Sequence, residues 1–238
     1  MKHLFVTTYL VAIHALLGIA LVETDLVPRA AAKLKLNVTD PPEEDSIIPR
    51  LREVHRQMDP AVPTGSTIFL GDSITMGLAT ASLAPRTVNY GIGWQRSDQL
   101  IKSMEIYKSI ERAGRVVITI GTNDLLQGRE ANIQTRYKTI LSNIPPRTRV
   151  VMNSVPPIGD VVFYGRKIED TNVRKVVDSA KAICLADHRC RFVNTYETLA
   201  PNGSPIPGVL LDDHIHLTSR GYEMWIAAMR PAFEEMPY

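Results

Sequence analysis

Only two of the 238 residues are cysteine, and no histidine pair stands at zinc-finger spacing, so metal ligation through cysteine is not expected. Charge of one sign is missing too. Against 27 Lys and Arg stand 25 Asp and Glu, for a net charge of +2, and no basic run reaches the density of a nucleic-acid face. No nucleic-acid partner is expected. Repeats and low-complexity arrays are absent, which excludes a solenoid or a disordered chain. Absent as well is the G-x-S-x-G elbow of the α/β-hydrolases: the serine after the first apolar run of the body stands in "GDSIT", Gly71 to Thr75.

With 45% hydrophobic and 22% charged residues, what remains is ordinary globular chain, enough for one well-cored domain with some excess at the N-terminus. Residues 1–22 are the excess. Lys2 and His3 precede an apolar stretch from Leu4 to Val22, and Glu23 and Asp25 follow it. The apolar residues run all round rather than along one stripe, which argues for an export segment over an amphipathic core helix. Two forms fit it: a cleaved signal peptide, with a weak small-residue site at Gly18-Ile19-Ala20, or an uncleaved membrane anchor through residues 4–22. Either places the body outside the cytoplasm, periplasmic or extracellular. Residues 23–65 read as a linker, with the solvated run "DPPEED" at Asp40 to Asp45 and a short amphipathic helix at Ile47 to Met58 that docks on the domain at 66–238. In an oxidising compartment Cys184 and Cys190 are expected to form a disulfide between a helix end and a strand; two separate thiols are the alternative.

Beyond the linker, strand-like runs at Thr67–Leu70, Thr87–Tyr90, Val116–Ile120, Val150–Ser154 and Arg191–Asn194 alternate with helical stretches at Ser97–Arg112, Glu130–Asn143, Ile168–Ala186 and Ser219–Phe233. Such alternation predicts an α/β fold with a parallel five-stranded sheet covered on both faces. Ligands bind such sheets beyond the carboxyl ends of the strands. Polar clusters stand at those ends: Gly71-Asp72-Ser73, "NYGIGW" at Asn89 to Trp94, "GTND" at Gly121 to Asp124, and "DDHIHLT" at Asp212 to Thr218.

A serine at a strand-to-helix turn exposes its hydroxyl beyond the sheet and carries an N–H suited to a developing oxyanion, so Ser73 is placed like a nucleophile, though serine also serves there as a plain helix cap. Asp213 and His216 stand three apart just before a helix capped by Thr218. That spacing lets the carboxylate reach imidazole Nδ1 and leaves Nε2 to take the serine proton. Asn123 follows an apolar strand, and its amide, projecting at the strand end, can join the main-chain N–H groups of Ser73 and the Gly93-Trp94 segment in an oxyanion hole. On its own "GTND" reads equally as a turn. A zinc site from Asp212, His214 and His216 is a second arrangement of the late cluster.

These four blocks, in this order between Ile68 and Tyr222, resemble the SGNH (GDSL-type) hydrolases, named for Ser, Gly, Asn and His. The resemblance implies a flavodoxin-like three-layer α/β/α sandwich and a serine esterase that uses no metal or other cofactor. It places the nucleophile at Ser73, the base at His216 with Asp213 behind it, and oxyanion donors at Ser73, the second block and Asn123. The second block departs from the pattern: Trp94 stands where a second glycine is usual, so either Gly93 or Trp94 supplies the N–H, and the indole shapes substrate choice. A short acyl ester such as acetyl, carried on a carbohydrate, is the expected substrate, because an exported enzyme meets glycans first. Lipid acyl esters, thioesters and acyl transfer within the same fold are the alternatives, and a non-catalytic binding module is disfavoured by the intact Ser, Asn, Asp and His. The apolar "VVFYG" at Val161 to Gly165 either lines an acyl groove or packs as core.

Overall fold

A strand buried on both faces is apolar along its whole length rather than at alternate residues. Thr67–Gly71 (β1) and Arg115–Thr119 (β3) carry such runs, Ile68 to Leu70 and Val116 to Ile118, and every residue of both strands is buried, the polar Thr67, Arg115 and Thr119 at their ends included. They form the middle of a five-stranded sheet with Thr87–Gly91 (β2) and Arg149–Asn153 (β4); a small antiparallel hairpin, Val162–Phe163 (β5) with Arg166–Lys167 (β6), intervenes before the last strand, Cys190–Val193 (β7). All pairings in the main sheet are parallel and its order is β2-β1-β3-β4-β7. Renumbered along the main sheet, this is the 2-1-3-4-5 order of the flavodoxin-like sandwich. The computed structural model describes residues 47–163 and 165–235; the export segment at 1–22 and the linker as far as residue 46 lie outside the described residues.

The pleat divides each strand between two cores. Ile68, Leu70, Val116, Ile118, Val150 and Met152 face one cluster, whose helical side comes from Ser97–Met104 (α3, after Ile47–Met58 as α1 and Ser73–Met76 as α2), Ile133–Ser142 (α5, after Thr122–Leu126 as α4) and Asp170–Leu185 (α6). Phe69, Val117 and Val151 face the other, closed by Leu199 of α7 (Thr195–Leu199) and by Trp225, Met229 and Phe233 of α8 (Ser219–Glu234). Helices on both faces leave the carboxyl edge of the sheet as the place where loops gather.

Two helices are shorter than the sequence suggests. The one expected over Ser97–Arg112 ends at Met104 and resumes as a tight 3-10 turn at Lys108–Arg112. Tyr107 ends it by turning inward, where its ring stacks on Tyr90 at 4.2 Å and its hydroxyl meets Nδ1 of the buried His55 at 2.9 Å. The helix expected over Glu130–Asn143 starts with a 3-10 turn at Glu130–Asn132 and becomes regular at Ile133. His55 fixes α1 to the domain, assisted by Arg52, which donates to the Lys102 carbonyl at 2.9 Å. Burial lowers the His55 pKa to about 4, so the ring is neutral in that contact. Val161 and Phe163 pack against the first core, whereas Val162 points to solvent.

Cys184, near the end of α6, and Cys190, the first residue of β7, form the expected disulfide, with an S–S distance of 2.05 Å. The loop it closes is short, so the entropy it removes from the unfolded chain is modest, worth about 2 kcal/mol. Replacing both cysteines by serine should lower the unfolding free energy in guanidinium by about that amount. An unchanged midpoint would show that the bridge constrains nothing.

Candidate active site

The end of β1 is crowded to the limit. A Cβ on Gly71 would lie 2.1 Å from Thr75 Oγ1 and 2.2 Å from the Thr119 carbonyl oxygen, so only glycine lets β1 pass between α2 and β3 here. The chain then turns at Asp72, whose Oδ1 accepts from the Ile74 N–H at 3.0 Å and caps α2, leaving Ser73 as its first helical residue. The loop after β2 is drawn against the same turn. Ile92 N–H donates to the Gly71 carbonyl at 3.1 Å, and a Cβ on Gly91 would strike Met76 N at 2.3 Å.

Across the sheet edge, Ser73 Oγ lies 2.9 Å from His216 Nε2, and His216 Nδ1 lies 2.6 Å from Asp213 Oδ2. The carboxylate is fixed by its own loop, since Asp213 Oδ1 accepts from the backbone N–H groups of Ile215 and His216, each at 2.9 Å. Burial pushes the Asp213 pKa up, but those two N–H donors and the imidazole outweigh it and hold the carboxyl below its ordinary value. A bridge between Leu210 and Leu217 closes the loop, and Thr218 caps α8 by accepting from Gly221 N–H at 3.1 Å. The side chains of His216 and Asp213 remain 41% and 45% exposed, so the pair opens directly to solvent.

The other members of the "DDHIH" stretch are not brought to Ser73. His214 takes a left-handed backbone, with φ of 62°, and packs its ring against Gly159, whose N–H donates to the His214 carbonyl at 2.8 Å. Asp212 is exposed. Asp212 and His214 therefore do not converge with His216, and among the described residues no group of three or more His, Cys, Asp or Glu side chains is placed to hold a metal ion.

Asn123 is buried beside the second loop, its Nδ2 donating to the Gln95 carbonyl at 3.1 Å, which leaves one amide hydrogen for a ligand. Gln95 N–H in turn donates to the Ile92 carbonyl at 3.2 Å and closes a turn with Gly93 and Trp94 at its centre. Neither central N–H bonds to an acceptor among the described residues, so the turn offers both. Trp94 has φ of 67°, a conformation that usually selects glycine, and its half-exposed indole leans on Phe163 of β5, with ring centroids 5.9 Å apart.

Asp124 does work that its turn-like context in "GTND" conceals. Fully buried, it accepts from Ser97 Oγ at 2.7 Å, Ser97 N at 2.9 Å and Arg136 Nη2 at 3.1 Å, tying the third loop to the start of α3. Burial raises its pKa against the pull of Ser97 and Arg136. The sequence signal that marks it is an acid between Asn123 and the apolar pair Leu125-Leu126, where a solvated turn would need no burial.

Asp72 is the second buried acid. Burial lifts its pKa to about 7, with nearby Asp124 adding to the rise and the Ile74 N–H and His216 opposing it. The neighbouring Thr122 hydroxyl also holds the pKa down, although no close hydrogen bond joins this hydroxyl to Asp72 Oδ2 and both atoms are buried. The unfolded chain releases this proton near the usual carboxylate value of about 4, so from there to about 7 the folded protein holds more protons and its stability falls as pH rises. Asp72→Asn retains the cap oxygen and removes the titration. Its melting temperature should therefore gain on the wild type as pH increases from about 4 to about 8, and a pH-independent offset would contradict the assignment.

The sequence from residue 69 to residue 224, well over half of the chain, matches the GDSL-like lipase/acylhydrolase family. No curated protein matches it. Among solved structures, a lipase/acylhydrolase from Enterococcus faecalis superposes with a TM-score of 0.61 at 21% identity, covering 72% of this chain and 96% of its own. A GDSL-like lipase from Bacteroides thetaiotaomicron VPI-5482 gives 0.60 at 21% identity, over 77% and 97% of the two chains. An acetylxylan esterase from Geobacillus stearothermophilus, in a catalytic-mutant form, gives 0.53 at 17% identity, over 69% and 93%. At these identities the structural likeness carries the fold, and the match along the sequence carries the membership. By that match, on this sheet, the chain belongs to the GDSL-like lipase/acylhydrolase family and is an ester hydrolase of the SGNH type.

Proposed function

We infer that the protein hydrolyses short acyl esters through a covalent acyl-enzyme on Ser73. The unbroken chain from Ser73 Oγ to His216 to Asp213 carries this reading. Asp213 accepts a hydrogen bond from Nδ1–H and so holds the tautomer that presents the Nε2 lone pair to the serine hydroxyl. As Oγ bonds to the carbonyl carbon, its proton passes to Nε2, and the oxyanion is met by the Ser73 N–H, the turn at Gly93 and Trp94, and the second amide hydrogen of Asn123. The imidazolium returns the proton to the departing alcohol. Water then gives its proton to Nε2 and attacks the acyl carbon, and Ser73 is released with the acid.

The exposure of the His216 and Asp213 pair supports an acyl group carried on a large alcohol, with carbohydrate the leading class, and the acetylxylan esterase among the similar folds is in keeping with that. A place of action outside the cytoplasm is supported by the disulfide and by the apolar segment at 4–22, which as signal peptide or tether would deliver the domain there.

Five substitutions test the roles on one chromogenic acetyl ester. Ser73→Ala and His216→Ala should each lower kcat/KM by roughly 10⁴ or more, because the two act as a unit, and Asp213→Ala by at least roughly 10². Asp212→Ala and His214→Ala should change it by less than about tenfold, or about 1.4 kcal/mol. A dispensable His216 beside an essential His214 would reverse the assignment. In a separate comparison, Asn123→Ala should reduce kcat by roughly 10²–10³ with little change in KM, and a change in KM alone would make it a substrate-binding residue instead.

A further inference from the structure

The second loop carries an unusual commitment. A tryptophan occupies a turn position whose left-handed φ of 67° favours glycine, and half of its surface remains in water. A strained, exposed indole contributes little to the fold. Its surroundings show what it is held for. On one side Gly93 runs beside α2, where a Cβ at that position would lie 3.6 Å from Met76 Cε, and Met76 is itself 46% exposed. On the other, the indole meets Phe163, and Val162 beside it is 63% exposed. Met76 beside Gly93, and Trp94 against Phe163, thus set apolar side chains along this edge from the nucleophile helix to the hairpin.

This edge is fixed at both ends. Met76 is in the same helical turn as Ser73. The hairpin is held by Arg166, which donates to the Leu125 carbonyl at 2.8 Å and pairs with Glu130, while Phe163 packs on the core. Those anchors lie on α4 and the turn after it, next to Asn123, so the hairpin that carries Phe163 is tied to the element that carries one oxyanion donor.

The stereochemistry of the tetrahedral intermediate then decides which part of the substrate meets it. One substituent is Ser73 Oγ, one is the oxyanion held by the turn and Asn123, and one is the leaving oxygen, which must reach His216 Nε2 for its proton. The acyl tail takes the remaining direction, along the surface that borders the oxyanion turn. We propose that Met76, Trp94 and Phe163 form an open acyl shelf and that Trp94 sets acyl-length preference, favouring tails of roughly four to six carbons over acetyl. This rests on the ester-hydrolase reading of Ser73 and names the acyl class for it. Acetyl ends before the shelf, whereas a butanoyl or hexanoyl tail can lie against the paired rings of Trp94 and Phe163. A tail much longer than the shelf runs into water and gains nothing more.

The test is kcat/KM of the full chain on p-nitrophenyl acetate, butanoate, hexanoate and decanoate, read as ratios so that any change in oxyanion binding cancels. The wild type should prefer butanoate or hexanoate to acetate by about tenfold, with no further gain at decanoate. Trp94→Gly, which also relieves the backbone, should bring the ratio to within about twofold; Phe163→Ala should reduce it in the same direction with the backbone of the turn untouched, and Trp94→Phe should restore most of it. A flat or acetate-led profile in the wild type, or an unchanged ratio in both Trp94→Gly and Phe163→Ala, overturns the shelf. Ser73→Ala separates the two readings: if it silences every ester while the profile is flat, only the shelf fails, and if it silences none, the hydrolase mechanism itself fails.

Discussion

Everything at the catalytic edge depends on how closely three backbones meet at the end of β1. Gly71 lies where no side chain fits, between Thr75 and the Thr119 carbonyl, and its own carbonyl receives the Ile92 N–H. That contact fixes where the nucleophile turn begins relative to the second and third loops. Three parallel strands in register then deliver Ser73, the Gly93-Trp94 turn and Asn123 to one place without any long-range adjustment. The fourth component, the loop with Asp213 and His216, arrives separately and is shaped by its own hydrogen bonds before it touches Ser73.

What could be read in the sequence is what local spacing decides. Ser73 follows a strand, Asp213 and His216 stand one turn apart, and Thr218 announces a helix; each constraint spans a few residues, so the letters carry it. The alternation of strand and helix carried the sheet for the same reason. The end of α3 at Met104 was not legible, because Tyr107 leaves the helix for partners at Tyr90 and His55 far along the chain. The hairpin of β5 and β6 was hidden likewise: its anchors are Leu125 and Glu130, some forty residues upstream. Asp124 looked like a turn former, and only the fold supplies Ser97 and Arg136 to show that it is a buried tie.

The edge is also where local preference is overruled. Two carboxyls, Asp72 and Asp124, are removed from water, a tryptophan and a histidine adopt left-handed backbones, and Asp72 Oδ2 has no close hydrogen bond. Each of these costs stability, and each lies in or beside the loops that hold Ser73 and its partners. The two apolar cores offset that cost, although β3 has a compromise of its own at its first residue, where the charged Arg115 is buried against the Phe233 ring.

In a parallel sheet all strands start on one side and finish on the other, and the disulfide sits at the starting side, on the first residue of β7. Ser73 and its partners stand at the finishing side, with a strand length of roughly 13 Å between the two levels. The redox history of the molecule is therefore recorded at one pole and its chemistry is done at the other. The bridge joins a helix end to an edge strand, far along the strand direction from the hydrogen bonds that align the nucleophile, so the covalent tether and the chemistry occupy separate parts of the same small domain.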